Sequence, residues 1–346
     1  MRTGKLPESA LNRSVLKQVH TGNHRISHPF SGKILENTKG AAIGSDCAFF
    51  AASSGQVLAW CAQEAAVAGK AGAGKAAELV QKCANNLAAS GTHPASAQIS
   101  IMLPEECEEA LVKELMEEIT TACVSLGMEI AGGDTNVTDA VTQPILTITA
   151  IGVAKAGEIP SLAKAKPGQA LVLSKWIGLE GTAVLTESFR EKLLERYPAY
   201  LVDEAAGFGK YLSIEKEAKI ATKAGVAAMH DLSMGGVFGG LWELAEGAGL
   251  GLEVDLKKIP IRQETVEVCE VCGVNPYEMR SGGSLLMATE DGEALAAALE
   301  AEGIPAAVIG RLTGKQDRIL LNEEEIRFLD RPRGTDVIAE KLRESR

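Results

Sequence analysis

Apolar residues recur at helical spacing over about Gly74–Ala89, Gly181–Leu194, Ile214–Ala224, Gly235–Gly247 and Ala294–Glu302, and these stretches predict helices. Gln98–Leu103 instead alternates apolar and polar residues, and Pro144–Val153, Ala170–Ser174, Ser284–Thr289, Ala306–Ile309 and Ile319–Leu321 are short apolar or β-branched runs that predict strands. A further long helix is expected to open at Pro104, with Glu105, Glu106, Glu108 and Glu109 near the positive end of its dipole. The mixture of the two periods predicts an α/β (α+β) chain. Gly157, Pro160 and Pro167 mark residues 156–168 as a connection between cores, which gives domains over 1–155 and 156–346. Residues 1–40 show little periodicity beyond an amphipathic stretch at Ala10–Val19 and read as an arm.

A length of 346 residues supports that division, because single cores seldom grow so large. With 46% hydrophobic and 23% charged residues the composition is that of a folded chain. Thirty-five basic against 46 acidic residues leave a net charge of −11, so a nucleic-acid partner is not expected. A phosphate-bearing small molecule would have to be met locally, by backbone N–H groups, helix N-termini, a few lysines or a divalent metal. No stretch reaches the ~20 apolar residues of a membrane span, and the N-terminus lacks the apolar centre of a signal peptide, so the expected location is the cytoplasm and no membrane partner is expected. Seven cysteines, an odd and scattered set, read as reduced and mostly buried thiols.

Several motifs carry a bland reading beside a chemical one. Gly69–Ala76 departs from the phosphate-binding loop G-x-x-x-x-G-K-[ST] only at Ala76, but the missing hydroxyl is the magnesium ligand, and Cys61–Ala68 ahead of it does not read as a strand. It is expected to be a turn before an Ala-rich helix. Cys269 and Cys272 lack a second ligand pair and are expected to be neighbours on one helical turn. His20, His24 and His28 fall on an arm whose Gly22 and Pro29 oppose a helix. Three glycine turns are more informative. Asp46 in Gly44–Ala48 is either a turn cap or a metal ligand, and Gly132-Gly133-Asp134-Thr135 is either a plain turn or a place where N–H groups converge on an anion. His230–Gly236 stands before a helix, as an anion site or with Ser233 as its N-cap.

Taken in order, these turns resemble the superfamily of aminoimidazole ribonucleotide (AIR) synthase, selenophosphate synthetase, thiamine monophosphate kinase and the hydrogenase maturation factor HypE. Gly44–Ala48 is similar to G-x-D-x-A, Asn85–Gly91 to N-D-x-A-x-x-G and Gly132–Thr135 to G-G-x-T, while Gly4–Pro7, Lys175–Ala183 and His230–Gly236 resemble the HypE branch. The resemblance implies a PurM-like fold of two α/β domains, with the N-terminal domains pairing in a homodimer that forms a groove for ATP and Mg2+. It implies Asp46 as a metal ligand, Asn85 and Asn86 at the nucleotide–metal loop, and Gly132, Gly133, Asp134 and Thr135 along the phosphates. His230, Asp231, Gly235 and Gly236 would face the groove from the second domain, and Glu64 would replace the acid of an earlier family Asp-Pro segment.

The sequence departs from that pattern at Asn86, a neutral amide where the family has aspartate, so the magnesium site is expected to be weakened or lost. The expectation is a HypE-like protein that binds ATP or another phosphate-bearing ligand, in protein or metallocofactor maturation with a partner protein. An active enzyme of this kind would carry out ATP-dependent phosphoryl transfer or dehydration; the competing expectation is a nonenzymatic ligand-binding paralogue. The last cysteine is Cys272, so dehydration of a carbamoyl group on a C-terminal cysteine is not expected.

Overall fold

The computed structural model describes residues 44–52, 55–67, 74–332 and 334–344. Asp46–Ile159 form one compact unit; the residues from Pro160 onward, with Gly44 and Ser45, form the other. The N-terminal arm with His20, His24 and His28, the Gly4–Pro7 run, and residues 69–73 of the phosphate-loop-like stretch lie outside the described residues.

The first unit runs β1 (Ala48–Ala51), β2 (Gln56–Ala66), α1 (Lys75–Ala89), β3 (His93–Leu103), α2 (Glu109–Ser125), β4 (Glu129–Val137) and β5 (Ile145–Lys155). The strands form a sheet in the order β1-β2-β5-β3-β4, antiparallel except for β3 and β4. Alternation decides which face is covered: Val57, Ala59, Cys61, Ala97, Ile99, Ile101, Leu146, Ile148 and Ala150 point to the side on which α1 and α2 bury Leu79, Cys83, Leu87, Leu115 and Ile119. Each fully buried leucine or isoleucine there contributes about 1.5–3 kcal/mol.

Three readings change here. Cys61–Ala66 belongs to β2, which the sequence hid because its open-face residues are Trp60, Ala62 and Glu64 and its inner ones small. Alanine and glutamate weaken a strand signal without preventing the strand. Gly132–Asn136 is not a turn but the middle of β4, and glycine is there for a steric reason: a Cβ at Gly133 would lie 1.8 Å from the carbonyl oxygen of Ile99 on β3. The helix expected from Pro104 begins at Glu109, because Pro104 starts a turn closed by Cys107 N–H donating to its carbonyl at 3.1 Å.

The second unit contains β6 (Ala170–Ser174), α3 (Leu179–Ser188), α4 (Arg190–Leu194), α5 (Ala199–Ala206), α6 (Glu215–Ala224), β7 (Ala228–Asp231), α7 (Gly236–Ala248) and β8 (Gly251–Asp255). It continues with α8 (Gln263–Cys272), β9 (Leu285–Thr289), α9 (Gly292–Ala301), β10 (Ala306–Thr313), β11 (Arg318–Asn322), β12 (Glu325–Phe328) and α10 (Val337–Glu344). Its sheet has the order β12-β11-β8-β10-β6-β9-β7. The central strands β6 and β9 are apolar without alternation because both faces are covered. Leu171, Leu173 and Leu286 pack toward Val237 and Leu241 of α7, whereas Val172 and Val308 lie against Gly292 of α9. Asp291 caps α9 by accepting from Ala294 N–H at 3.0 Å. The helix expected over Gly181–Leu194 is divided at Phe189 into α3 and α4.

Candidate functional site

In the first unit the Asp46 turn is fixed by its neighbour. Cys47 Sγ donates to the carbonyl of Asn86, near the end of α1, at 3.3 Å, which brings together residues 39 positions apart. Asn86 also hydrogen-bonds Cys61 through its side chain, and the Asp46 charge acts on both Cys47 and Cys61. Asn85 is buried, and its Oδ1 accepts from Gln81 Nε2 at 3.0 Å. Two of the expected site residues, Asp46 and Asn86, are thus adjacent, while Asn85 holds the helix internally.

Cys47, Cys61 and Cys83 form a connected set of thiols that sequence spacing alone could not reveal. When Cys61 is ionised, Cys47 and Cys83 can turn their S–H groups to its sulfur, which holds its thiol down at about 5, against the opposing effect of burial. Donation to Cys61 and burial push Cys47 and Cys83 upward. When protonated, Cys61 can itself donate to the carbonyl of Cys83 at 3.5 Å.

The sheet face turned away from α1 and α2 carries Glu64 and Asp134, whereas Gly133 and Thr135 pair with the core residues Ile99 and Ile101 on the covered face. The registers Glu64↔Thr147, Ser100↔Thr147 and Ser100↔Asp134 set a polar row across β2, β5, β3 and β4. Ser100 and Thr147 were not foreseen, since only the register exposes the row. Glu64 and Asp134 stand three strand spacings apart, about 14 Å, and cannot share one ion. Asn136 Nδ2 donates to Asp134 Oδ2 at 2.7 Å. Among the described residues no group of three or more His, Cys, Asp or Glu is arranged to hold a metal ion. The donors therefore do not make a protein-only magnesium cage, and Asn86 adds a neutral oxygen rather than a charge. The phosphate-loop resemblance is weakened too: the N–H of Gly74, at the start of α1, donates to Glu118 Oε1 at 3.0 Å, so a carboxylate occupies that position.

In the second unit His230 and Asp231 end β7 and are buried. His230 Nε2 lies 3.0 Å from Glu243 Oε2 on α7, and Asp231 acts electrostatically on Lys175. The cap of α7 is Gly235, at φ 91°, and not Ser233, whose carbonyl instead accepts from the N–H groups of Gly236 and Ser281 at 3.1 and 3.2 Å. Phe238 N–H donates to Tyr277 O at 3.1 Å, so part of the helix start is already satisfied by carbonyls. Cys269 and Cys272 lie on one turn of α8 in an apolar cluster with Met279 and Ile338, where burial pushes the Cys269 thiol up to about 12.

Residues 44–154 match the family described as AIR synthase related protein, N-terminal domain, and residues 166–321 match its C-terminal domain. The carbamoyl dehydratase HypE of Rhodobacter capsulatus is 28% identical over 233 residues, 66% of this chain and 66% of the relative. The chain thus spans just under two thirds of that protein, and 63% of the HypE of Cupriavidus necator. A putative hydrogenase expression/formation protein, MJ0676 of Methanocaldococcus jannaschii, is 27% identical over 73% of this chain and 75% of its own length. Among solved structures, a HypE–HypF complex aligns with TM-score 0.69 and 20% identity over 93% of this chain and 100% of that one. HypE in complex with ATP aligns with TM-score 0.66 and 19% identity over 97% and 98% of the two chains. The likeness to these structures is one of fold. With both halves matched in order over the two units, the chain belongs to the AIR synthase related family.

Proposed function

We propose that this chain is a HypE-like, ATP-binding protein whose magnesium dependence is weak and rests on Asp46. The observation that carries the reading is the Cys47–Asn86 hydrogen bond of 3.3 Å, which holds the Asp46 turn against the end of the helix bearing the family's nucleotide–metal loop. The fold likeness to an ATP-bound HypE supports the ligand class. The remaining proposed contacts are Asn85, Gly132, Gly133, Asp134 and Thr135 in the first domain, and His230, Asp231, Gly235 and Gly236 in the second, with Glu64 as an accessory carboxylate. Any Mg2+ would arrive with the triphosphate, whose oxygens complete its shell. The implied setting is maturation of a metalloprotein, with a partner protein as in the solved HypE–HypF complex. The activity class would be ATP-dependent phosphoryl transfer or dehydration. Asn86 favours a second reading, a ligand-binding paralogue that has kept the fold with a degenerate metal site.

Isothermal titration with ATP, with and without Mg2+, separates the two readings. Weak binding that Mg2+ strengthens supports the first; binding indifferent to Mg2+ supports the second; no binding at millimolar ATP defeats both. Asp46→Asn should cut the Mg2+-dependent part of the affinity on the order of tenfold, the equivalent of about 1.4 kcal/mol, and an unchanged increment would remove Asp46 from the site. Asn86→Asp should strengthen it.

We also propose a homodimer through the open face of the first sheet. Trp60, Met102 and Ile151 are 39%, 44% and 38% exposed there, and the Phe50 and Trp60 rings stand 6.3 Å apart. An apolar patch of this kind suits an isologous contact with a second copy. Light scattering should give twice the 36.3 kDa chain mass, and Trp60→Glu should halve it. A monomer at micromolar concentration would refute the pairing.

A further inference from the structure

The thiols of the first unit have a geometry that packing alone does not require. Cys47 precedes β1, Cys61 lies on β2, and Cys83 lies on α1. The β1–β2 ladder pairs Ala48 with Trp60, so one step further along the same antiparallel register sets Cys47 opposite Cys61, near enough for each thiol to act on the other's ionisation. Directly opposed residues of an antiparallel pair have Cα atoms ~4.5–5.5 Å apart, inside the ~4.4–6.8 Å that a disulfide spans. Cys83 comes from a helix rather than a facing strand, is fully buried, and its Sγ donates to the carbonyl of Ile148 at 3.6 Å. All seven cysteines are reduced, and no described group of three or more ligands is placed to hold a metal, so a soft-metal role does not account for the cluster.

We propose that Cys47 and Cys61 form a site of reversible oxidation, closed to a disulfide by a hydroperoxide and reopened by a dithiol. One sulfur attacks the peroxide, breaking the O–O bond to give a sulfenic acid and, with hydrogen peroxide, one water. The other sulfur displaces the hydroxyl, forming the S–S bond and releasing a second water. The peroxide takes up the two electrons that the thiols lose. A dithiol reverses the closure by two thiol–disulfide exchanges and leaves as its own disulfide. Closure also removes the Cys47 S–H donor now facing Asn86 O at 3.3 Å. The tie between the Asp46 turn and the end of α1 is thereby cut, whatever ligand the turn serves.

The test treats the reduced, folded, full-length chain with hydrogen peroxide, then blocks remaining thiols with an alkylating agent and maps the tryptic peptides. Residues 40–70 form one tryptic peptide containing both Cys47 and Cys61, whereas Cys83 falls in residues 83–113. The expected result is peptide 40–70 lighter by two hydrogens and unalkylated, restored by dithiothreitol before alkylation. Cleavage after Trp60 should leave its two halves joined. Cys61→Ser and, independently, Cys47→Ala should abolish the loss, while Cys107→Ala should not. Alkylation of both cysteines after peroxide, oxygen addition without an S–S bond, or a cross-link of 40–70 to 83–113 would overturn the assignment.

Discussion

Replacing Lys175 by methionine should destabilise the second unit by about 3–5 kcal/mol, the cost of leaving a buried charge without its counterion. Lys175 follows β6 with φ 55°, and its ammonium is coordinated by Tyr211 O at 2.9 Å, Ser213 O at 2.6 Å and Glu217 Oε1 at 2.6 Å. Two carbonyls accept from the ammonium and the Glu217 carboxylate pairs with it, so the side chain is a tie between β6 and α6. The side chains of Lys175 and Glu217 are 9% and 3% exposed, so water cannot replace the lost cation. Adding Glu217→Leu should recover only part of the loss, because two carbonyls would still lack a donor, at about 1–3 kcal/mol each. The pH dependence provides a second signature. Burial lowers the Lys175 ammonium from its usual 10.5, outweighing the opposing pull of Glu217. Between the lowered value and 10.5 the unfolded chain holds a proton that the folded chain has lost, so wild-type stability gains a component that rises with pH, and the variant lacks it. Urea denaturation from neutral pH upward measures both effects; a loss under 1 kcal/mol would show that the pair contributes little.

The fate of Lys175 illustrates what the sequence could and could not convey. Runs such as Ala170–Ser174 and Ser284–Thr289 were legible as strands because a sheet covered on both faces demands continuous apolar residues. The helix over Lys75–Ala89 was legible from its period. By contrast β2 is an eleven-residue strand written largely in alanine, glutamine, glutamate and cysteine, so its place in the sheet comes from pairing with β5 rather than from propensity. The two glycines of β4 signal a turn locally, yet Gly133 answers a close approach to Ile99 that exists only once β3 lies alongside. The order of the family motifs was legible, as the matches over 44–154 and 166–321 show. The roles of single residues within them were less so. Lys175 lies in a motif that resembles HypE and is a structural tie, and the neighbour of Asp46 anchors the turn through a thiol. The Glu64–Thr147–Ser100–Asp134 row depends on three strand registers, none of them written in any one segment.

Gly236→Ala should cost roughly 2–5 kcal/mol, and Gly249→Ala at the other end of the same helix only about 1 kcal/mol. Both glycines have positive φ, 64° and 69°, so both substitutions incur the penalty of a left-handed residue. They differ in what the new methyl group meets. At Gly249 there is nothing within 4 Å, whereas at Gly236 a Cβ would lie 2.4 Å from Tyr277 O and 2.6 Å from Met279 O. Those atoms are backbone carbonyls in the loop between α8 and β9, so no rotamer change can relieve the overlap. The loop or the start of α7 must move. That loop also accepts from Phe238 N–H through Tyr277 O, and the chain before α7 receives Ser281 N–H at Ser233 O, so the displacement should propagate into the segment that links His230 and Asp231 to the helix. Because both glycines share a left-handed φ at the ends of α7, that penalty is common to the pair, and the difference isolates the close approach. Chemical denaturation of the two variants at one pH measures it; equal losses would show that the loop yields freely and that Gly236 is required for its φ alone.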